Sequence, residues 1–546
     1  MRVVQVNTGR RQRLEGPSFK GETGIFKTAR TGRVVVGSLG LDDDEGSFTK
    51  VRVELVREWT SRLREDDLHP YRTGPWRPNV REYDAFDLAV EGELPRDLAG
   101  VYVRNTENPL HEAIGRYHPF DGDGMLHALS LRDGVAEYHN RFVRTAGFEA
   151  ERAADAPLWA GLMESPRKSL REGWGARTRL KDASSTDVVV HRGRAISSFY
   201  QCGELYEHDP RTLEPLGTSP WLEGVTPGWG VSAHTKVDEA TGELLFFNYS
   251  KQAPYMHYGV VDAEGRLVHY VPVPLPGPRL PHDMAFTEHY AILCDFPLYW
   301  DPEALRVDAH AVRFHRDEPS RFAVIPRRGT PEQIRWFEAD PTFVLHFVNA
   351  YEDGDAIVLD GFFEANPDPE LRFDERDPKS LFRMLDMHVL GARAHRWRLD
   401  LATGRTTEGP LHDEVMEFGM IDPRRAGRPY RYTWAMTTRP GWFLFDGLVR
   451  LDVETGATQR FAFPEGVYCS EAPMAPRVAG SAEDDGWVLT YVTDMNRDAS
   501  EVWVFGADDV AAGPVARVAL PERICVGTHA CWAGAESLAG RTRSYA

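Results

Sequence analysis

From Tyr83 onward the chain alternates short apolar runs with turn signals, a rhythm that predicts strands rather than helices. Tyr290-Ala291-Ile292-Leu293-Cys294 and Leu244–Tyr249 are apolar stretches of strand length, and Leu267–Val273 and Thr458–Phe463 are alternating or β-rich. The turns between such runs share one style. Arg132-Asp133-Gly134, Asp238-Glu239-Ala240-Thr241-Gly242 and Asp262-Ala263-Glu264-Gly265 are examples, and Asp400–Gly404 and Asp452–Gly456 repeat the pattern. Aspartate at the start of a turn can hydrogen-bond its own backbone, and glycine supplies a positive φ, so each predicts a hairpin. Many hairpins of one kind predict a closed, repetitive β architecture instead of a parallel sheet.

Two interruptions predict excursions over one face. Residues 149–180 read as partly helical, over Glu149–Gly161 and Leu170–Leu180, and Asp377–Ala394 reads as a helix. Residues 51–83 read as a helix, Lys50–Arg64, followed by a linker carrying Pro70, Pro75 and Pro78. The β domain therefore spans 84–546. Residues 1–50 stand apart: Gly24-Ile25-Phe26-Lys27, Gly32-Arg33-Val34-Val35-Val36-Gly37 and Leu39-Gly40-Leu41-Asp42 resemble the opening of a MOSC domain. The likeness stops near Ser47, before that module's working cysteine, so the segment is expected to be a β appendage without activity of its own.

At 546 residues the chain has ample length for a core. Its net charge of −19 argues against nucleic acid as a partner, because no basic face is available to displace counterions. Five cysteines (202, 294, 469, 525, 531) form no C-x-x-C pair, which favours reduced thiols and a cytoplasmic setting. No stretch is apolar enough for a membrane span or a signal peptide.

Four of the 19 histidines share a setting among apolar or small residues beside strand signals: His234, His282, His346 and His529. A histidine taken alone is more often a surface or core residue than a ligand. The first three, however, are separated by about one propeller blade, roughly 40–50 residues. One histidine per successive blade, all at the same end, would converge on a central axis. Imidazole is the usual nitrogen ligand of Fe, Zn or Cu, and four neutral imidazoles leave the ion dicationic with open positions. That suits Fe(II) binding O₂ better than a closed zinc site. Glu417 and Glu471 lie in apolar or small surroundings where an isolated carboxylate is costly, so they are candidates to accept the outer N–H of a ligand histidine. The Asp121–Met125 run is read as a structural turn, and His118, His127, His191, His257 and His289 as non-ligands.

Longer stretches carry a resemblance. Leu98-Ala99-Gly100-Val101-Tyr102-Val103-Arg104-Asn105, Tyr117–His127, Tyr138–Thr145, Ala233-His234, Pro281-His282-Asp283, Asn349-Ala350-Tyr351-Glu352, Glu417-Phe418 and Gly527-Thr528-His529 run in order to the C-terminus. The chain resembles the carotenoid cleavage oxygenases, the non-haem iron family that includes apocarotenoid, stilbene and retinoid-processing members. The resemblance implies an all-β fold, a seven-bladed propeller under a helical and loop dome. It implies Fe(II) held by His234, His282, His346 and His529, with Glu417 behind His346 and Glu471 behind His529. Where the family usually carries a third glutamate this chain reads Phe199-Tyr200-Gln201-Cys202-Gly203, so Gln201 is expected to accept from His282 as a neutral partner, leaving the site one unit more positive.

The implied reaction is O₂-dependent cleavage of a conjugated C=C bond to two carbonyl products, with the substrate held in an apolar tunnel. A carotenoid or apocarotenoid is the first expectation, with a lip of Trp159, Leu162, Leu170 and Trp174 touching a membrane. A phenolic stilbene is the alternative. The stilbene-cleaving branch grips its phenol with a tyrosine and a lysine, for which Tyr138 and Lys181 are the counterparts. A non-enzymatic ligand-binding propeller and a metallohydrolase are further readings.

Overall fold

The computed structural model describes residues 25–27, 34–36, 51–174, 179–306, 311–369, 385–478 and 480–540. The predicted hairpins are there, and their chemistry is visible. Asp133 and Gly134 both have positive φ (53° and 78°) and form a two-residue loop between the paired Arg132 and Val135. Such a loop matches the right-handed twist of the strands it joins. Asp238 accepts from the backbone N–H of Ala240 at 3.0 Å, and Gly242 closes that turn at φ 73°.

Hairpins of this kind build seven antiparallel blades. Blade one is Gly527–Gly534, Gly100–Glu107, Gly124–Arg132 and Val135–Phe142, extended outward by Arg81–Phe86 and Arg52–Glu58 and then by the short strands Val34–Val36 and Ile25–Lys27. Blade two runs Asp187–His191, Arg194–Ser198, Tyr206–His208, Pro215–Thr218; blade three Lys236–Asp238, Glu243–Tyr249, Met256–Val261, Leu267–Pro272. Blade four is Ala285–Phe286, Tyr290–Asp295, Ser320–Pro326 and Arg335–Ala339. The long strand Thr406–Met420 serves two blades. Its first part pairs with Ala392–Asp400 at the outside of blade five, whose inner strands are Phe347–Asp353 and Ala356–Glu364, and its last part pairs with Tyr432–Thr438 as the first strand of blade six. Blade seven is centred on Gly486–Asp494 and Ala499–Gly506.

The ring is closed twice. The C-terminal strand Gly527–Gly534 completes blade one against Gly100–Glu107, and Val90–Gly92 adds to Pro514–Ala519 of blade seven. First strands of all seven blades line one axial chamber, through Val188, Lys236, Ala285, Phe347, Met420, Met474 and Ala530 among others. Between blades the pleated faces pack in apolar layers. Tyr102, Tyr138, Tyr491 and Val502 fill the joint of blades one and seven, and Phe322, Phe347 and Trp397 that of blades four and five. Each such side chain contributes roughly 2–3 kcal/mol on burial, so the joints as well as the hydrogen-bonded ladders hold the ring.

Several expected helices differ. The segment expected as a helix over Lys50–Arg64 is the strand Arg52–Glu58, antiparallel to Arg81–Phe86. Val51 and Val53 are buried with Arg52 exposed between them, which is the period of a strand. In the first excursion a helix forms at Ala146–Ala154, capped by Thr145, while the described part of 170–180 contributes only a bridge between Trp174 and Leu180. Of the second, residues 377–384 lie outside the described residues. Its described part holds a short helix, Met387–Leu390, ended by Gly391, and Ala392 already belongs to a strand. Of residues 1–50, the described ones are the two short paired strands Ile25–Lys27 and Val34–Val36 within the MOSC-like stretch; the remainder of that stretch lies outside the described residues.

Candidate metal centre

The four histidines reach the axis from four blades. His234 sits just before the first strand of blade three with a left-handed backbone, φ 58°, and His282 and His346 lie just before those of blades four and five. His529 is inside the strand Gly527–Gly534, where the register against blade one shifts between Gly527 and Ala530. A bulge of this kind re-aims a side chain, and here it turns His529 to the axis. One ligand atom from each ring lies within 4.8 Å of the others, and all four residues are buried.

Three of the rings are held from behind by carboxylates. Glu417 Oε2 lies 2.7 Å from His346 Nδ1 and also accepts the N–H of Phe418 at 2.6 Å. Glu471 Oε1 lies 3.3 Å from His529 Nδ1, while its Oε2 accepts the N–H of Ala530 at 2.5 Å. Asp187 Oδ2 lies 2.9 Å from His234 Nδ1, and its Oδ1 accepts the N–H of Val188 at 2.7 Å. An ionised carboxylate can only accept, so with these three acids ionised Nδ1 carries the proton in each case and Nε2 turns its lone pair to the centre. Phe418 keeps a left-handed backbone, φ 57°, beside Glu417, and its ring packs against His346 and His529. A bulky residue held there marks strain stored at a site.

The donor set fits a metal ion. His346 Nε2 is buried and has no hydrogen-bond partner, and His234 and His282 point Nε2 at Nε2 across 3.0 Å. Imidazole nitrogens stand ~2.1 Å from a divalent ion, so opposite ones are ~4.2 Å apart, within the observed spread. Burial, with the neighbouring rings, holds His234 and His346 well below the ordinary imidazole value and His282 at about 3. Burial also lowers His529, but the carboxylates of Glu471, Asp187 and Asp283 around it together outweigh that and raise it. Burial pushes Asp187 up to about 6 and Glu417 well above the carboxylate range. A dication at the centre would favour neutral rings and ionised carboxylates together. Among the described residues no carboxylate belongs to the ligand cluster itself, unlike the usual hydrolytic zinc sites.

Gln201 departs from expectation. It is buried near the site and lines the same cavity as His282, yet its Oε1 has no hydrogen-bond partner. Its Oε1 therefore does not accept from His282, and a carboxylate that the sequence reading did not name, Asp187, lies behind His234. Sequence reading passed over Asp187, although its position at the head of the apolar run Val188-Val189-Val190 is the setting that singled out Glu417.

A cavity of about 690 Å³ meets the cluster at His282 and Gln201 and is lined by apolar side chains including Leu280, Leu298, Trp300, Phe343 and Leu345. Neither expected substrate residue faces it. Tyr138 is buried between blades with its hydroxyl 2.7 Å from His127 Nδ1. Lys181 is largely enclosed between Glu151, 2.7 Å from its Nζ, and Asp123. Of the expected lip, Trp159 is buried and donates to the Glu172 carbonyl, Leu162 lines the cavity, and Leu170 is exposed. Among the described residues no helix is long and apolar enough to cross a membrane.

Comparison with known proteins agrees with this geometry. Residues 76–534 match the family described as retinal pigment epithelial membrane protein. The chain is 31% identical to the carotenoid 9,10(9′,10′)-cleavage dioxygenase 1 of Pisum sativum, over 88% of this chain and 94% of that one. It is 30% identical to an isoeugenol monooxygenase of Pseudomonas nitroreducens, over 86% and 99%. Among solved structures, the lignostilbene dioxygenase of Pseudomonas brassicacearum superposes with a TM-score of 0.75 at 26% identity, covering 87% of this chain and 99% of that one. A cobalt-substituted apocarotenoid oxygenase of Synechocystis gives 0.73 at 26%, covering 84% and 98%.

Proposed function

The chain belongs to the carotenoid cleavage oxygenase family, and we propose that within it this protein is a non-haem iron(II) dioxygenase. It cleaves a conjugated C=C bond of a carotenoid or apocarotenoid with O₂, giving two carbonyl products. The observation that carries this reading is the buried cluster of four histidines, three of them backed by carboxylates, at the inner end of an apolar cavity. His234, His282, His346 and His529 would hold the iron. Bound there, Fe(II) would supply the activation of O₂ that spin otherwise forbids toward a closed-shell alkene.

The chain's own residues do the rest. Asp187, Glu417 and Glu471 fix three rings with Nε2 inward. Trp300, Phe343 and Leu345 offer the polyene an apolar bed and keep water from the reacting carbons. The reaction balances without a reductant, since one alkene and one O₂ give two C=O groups. A reducing, cytoplasmic setting accords with the five unpaired cysteines. Leu170, 69% exposed beside exposed Arg167, Lys168 and Arg171, would make a peripheral contact with a membrane holding the substrate.

The test is Fe(II)-dependent turnover of an apocarotenal and a 4-hydroxystilbene side by side, with products identified by mass. Cleavage of the polyene is the expected result. Cleavage of the stilbene alone would move the protein to the phenolic branch of the family, where the Pseudomonas lignostilbene dioxygenase and isoeugenol monooxygenase stand by name. Failure to cleave either would overturn the reading.

A further inference from the structure

We infer that Asp187 is a positioning residue of the metal centre: it fixes the ring of His234 and supplies the third negative charge around the ion, which leaves His282 as the ligand without an anionic partner. This rests on the metal-centre reading above.

Asp187 is placed for the role by both ends of its carboxylate. Oδ1 accepts the N–H of Val188 and Oδ2 faces His234 Nδ1, so rotation of the side chain breaks two hydrogen bonds at once. Its backbone is held as well, because Asn105 of blade one donates from Nδ2 to the Asp187 carbonyl at 3.2 Å and to that of Ser184 at 2.9 Å. Asp187 opens the first strand of blade two, whereas the ring it holds comes from the start of blade three. The contact therefore locks two adjacent blades at the axis. Glu417 and Glu471 use the same device, one oxygen on a ring and a backbone N–H on the same carboxylate. His282 shows no such partner among the described residues, and the nearby polar side chain, Gln201, keeps a buried, unpartnered Oε1.

The experiment measures Fe(II) and Co(II) dissociation constants by chelator competition, together with the Co(II) d–d absorption, for the wild type, Asp187→Asn, Asp187→Ala and Gln201→Ala. Asp187→Asn keeps the volume and removes the charge. It is expected to weaken both metals about 10–100-fold and to shift the Co(II) bands, with the metal-free melting temperature unchanged. Asp187→Ala should weaken binding at least as much, whereas Gln201→Ala should stay within about twofold of wild type. Asp187→Asn with wild-type affinity and an unshifted spectrum would overturn the inference, as would Gln201→Ala falling as far as Asp187→Asn. A wild type that binds neither metal would overturn the metal-centre reading and this inference with it. A wild type that binds metal and cleaves substrate while Asp187→Asn matches it would overturn this inference alone.

Discussion

Replacing Lys181 with methionine separates a structural cation from a substrate-binding one. Lys181 is about one-tenth exposed and lies between Asp123 and Glu151, both still more buried. Glu151 belongs to the helix Ala146–Ala154 and its other oxygen accepts the N–H of Leu158, so the triad ties the first excursion to blade one. The two acids raise the lysine above its ordinary value although burial alone would lower it, and burial raises Asp123. Lys181→Met fills similar volume but leaves two buried carboxyls without a cation. Removing one partner of a buried ion pair costs about 3–5 kcal/mol. With roughly 2 cal/mol/K of unfolding entropy per residue, a chain of this length would lose about 3–5 °C of melting temperature at pH 7. The deficit should shrink as the pH falls, because burial raises Asp123 and its protonated form needs no counter-charge. Thermal melts at pH 5 and 7, alongside kcat/KM per folded enzyme, make the assay. The expected variant is less stable, with kcat/KM for either substrate class within about threefold of wild type. Unchanged melting with lost turnover of a phenolic substrate would refute the argument and return Lys181 to the binding site.

Three further outcomes concern other parts of the molecule. Glu107 is buried, with one oxygen accepting from Thr528 and the other unpartnered, and burial pushes it up to about 8. The folded state thus binds a proton that the unfolded state releases near pH 4.5, so this group's contribution to stability falls as pH rises from about 5 to 8. Glu107→Gln should flatten that fall in melting temperature, and parallel curves would contradict it. Glu417→Ala removes the support of His346 and should weaken Fe(II) binding about 10–100-fold by chelator competition. Leu170→Asp should lower co-sedimentation with vesicles containing anionic lipid without changing turnover of a detergent-solubilised substrate; unchanged sedimentation would remove Leu170 from any membrane contact.

How much of this was legible in the sequence depended on the range of the interaction concerned. The hairpin turns were readable because Asp133-Gly134 or Asp238 through Gly242 complete their chemistry within a few residues. The four histidines were readable as a set because blade repetition converts sequence spacing into a common axial position. Glu417 and Glu471 stood out as charges in apolar or small surroundings, and the structure places both on the expected rings. Lys181 and Tyr138 lie away from the cavity because their partners, Glu151 with Asp123 and His127, are chosen by folding rather than by proximity in the chain. Arg52–Glu58 looked helical from its charges, and only pairing with Arg81–Phe86 decides otherwise. Asp187 was hidden for a simpler reason: an aspartate heading a strand resembles an ordinary turn residue until His234 is seen above it.

A metal ion held by four imidazoles underlies every step of the proposed chemistry, and X-ray absorption at the iron K-edge of the Fe(II)-loaded protein addresses it without recourse to substrate. The expected result is one iron per chain, a first shell of light atoms at ~2.1–2.2 Å, and multiple scattering that fits the four imidazoles of His234, His282, His346 and His529, reduced by one in His346→Ala. A sulfur neighbour, scattering from only two imidazoles, or a protein that retains no iron would contradict it.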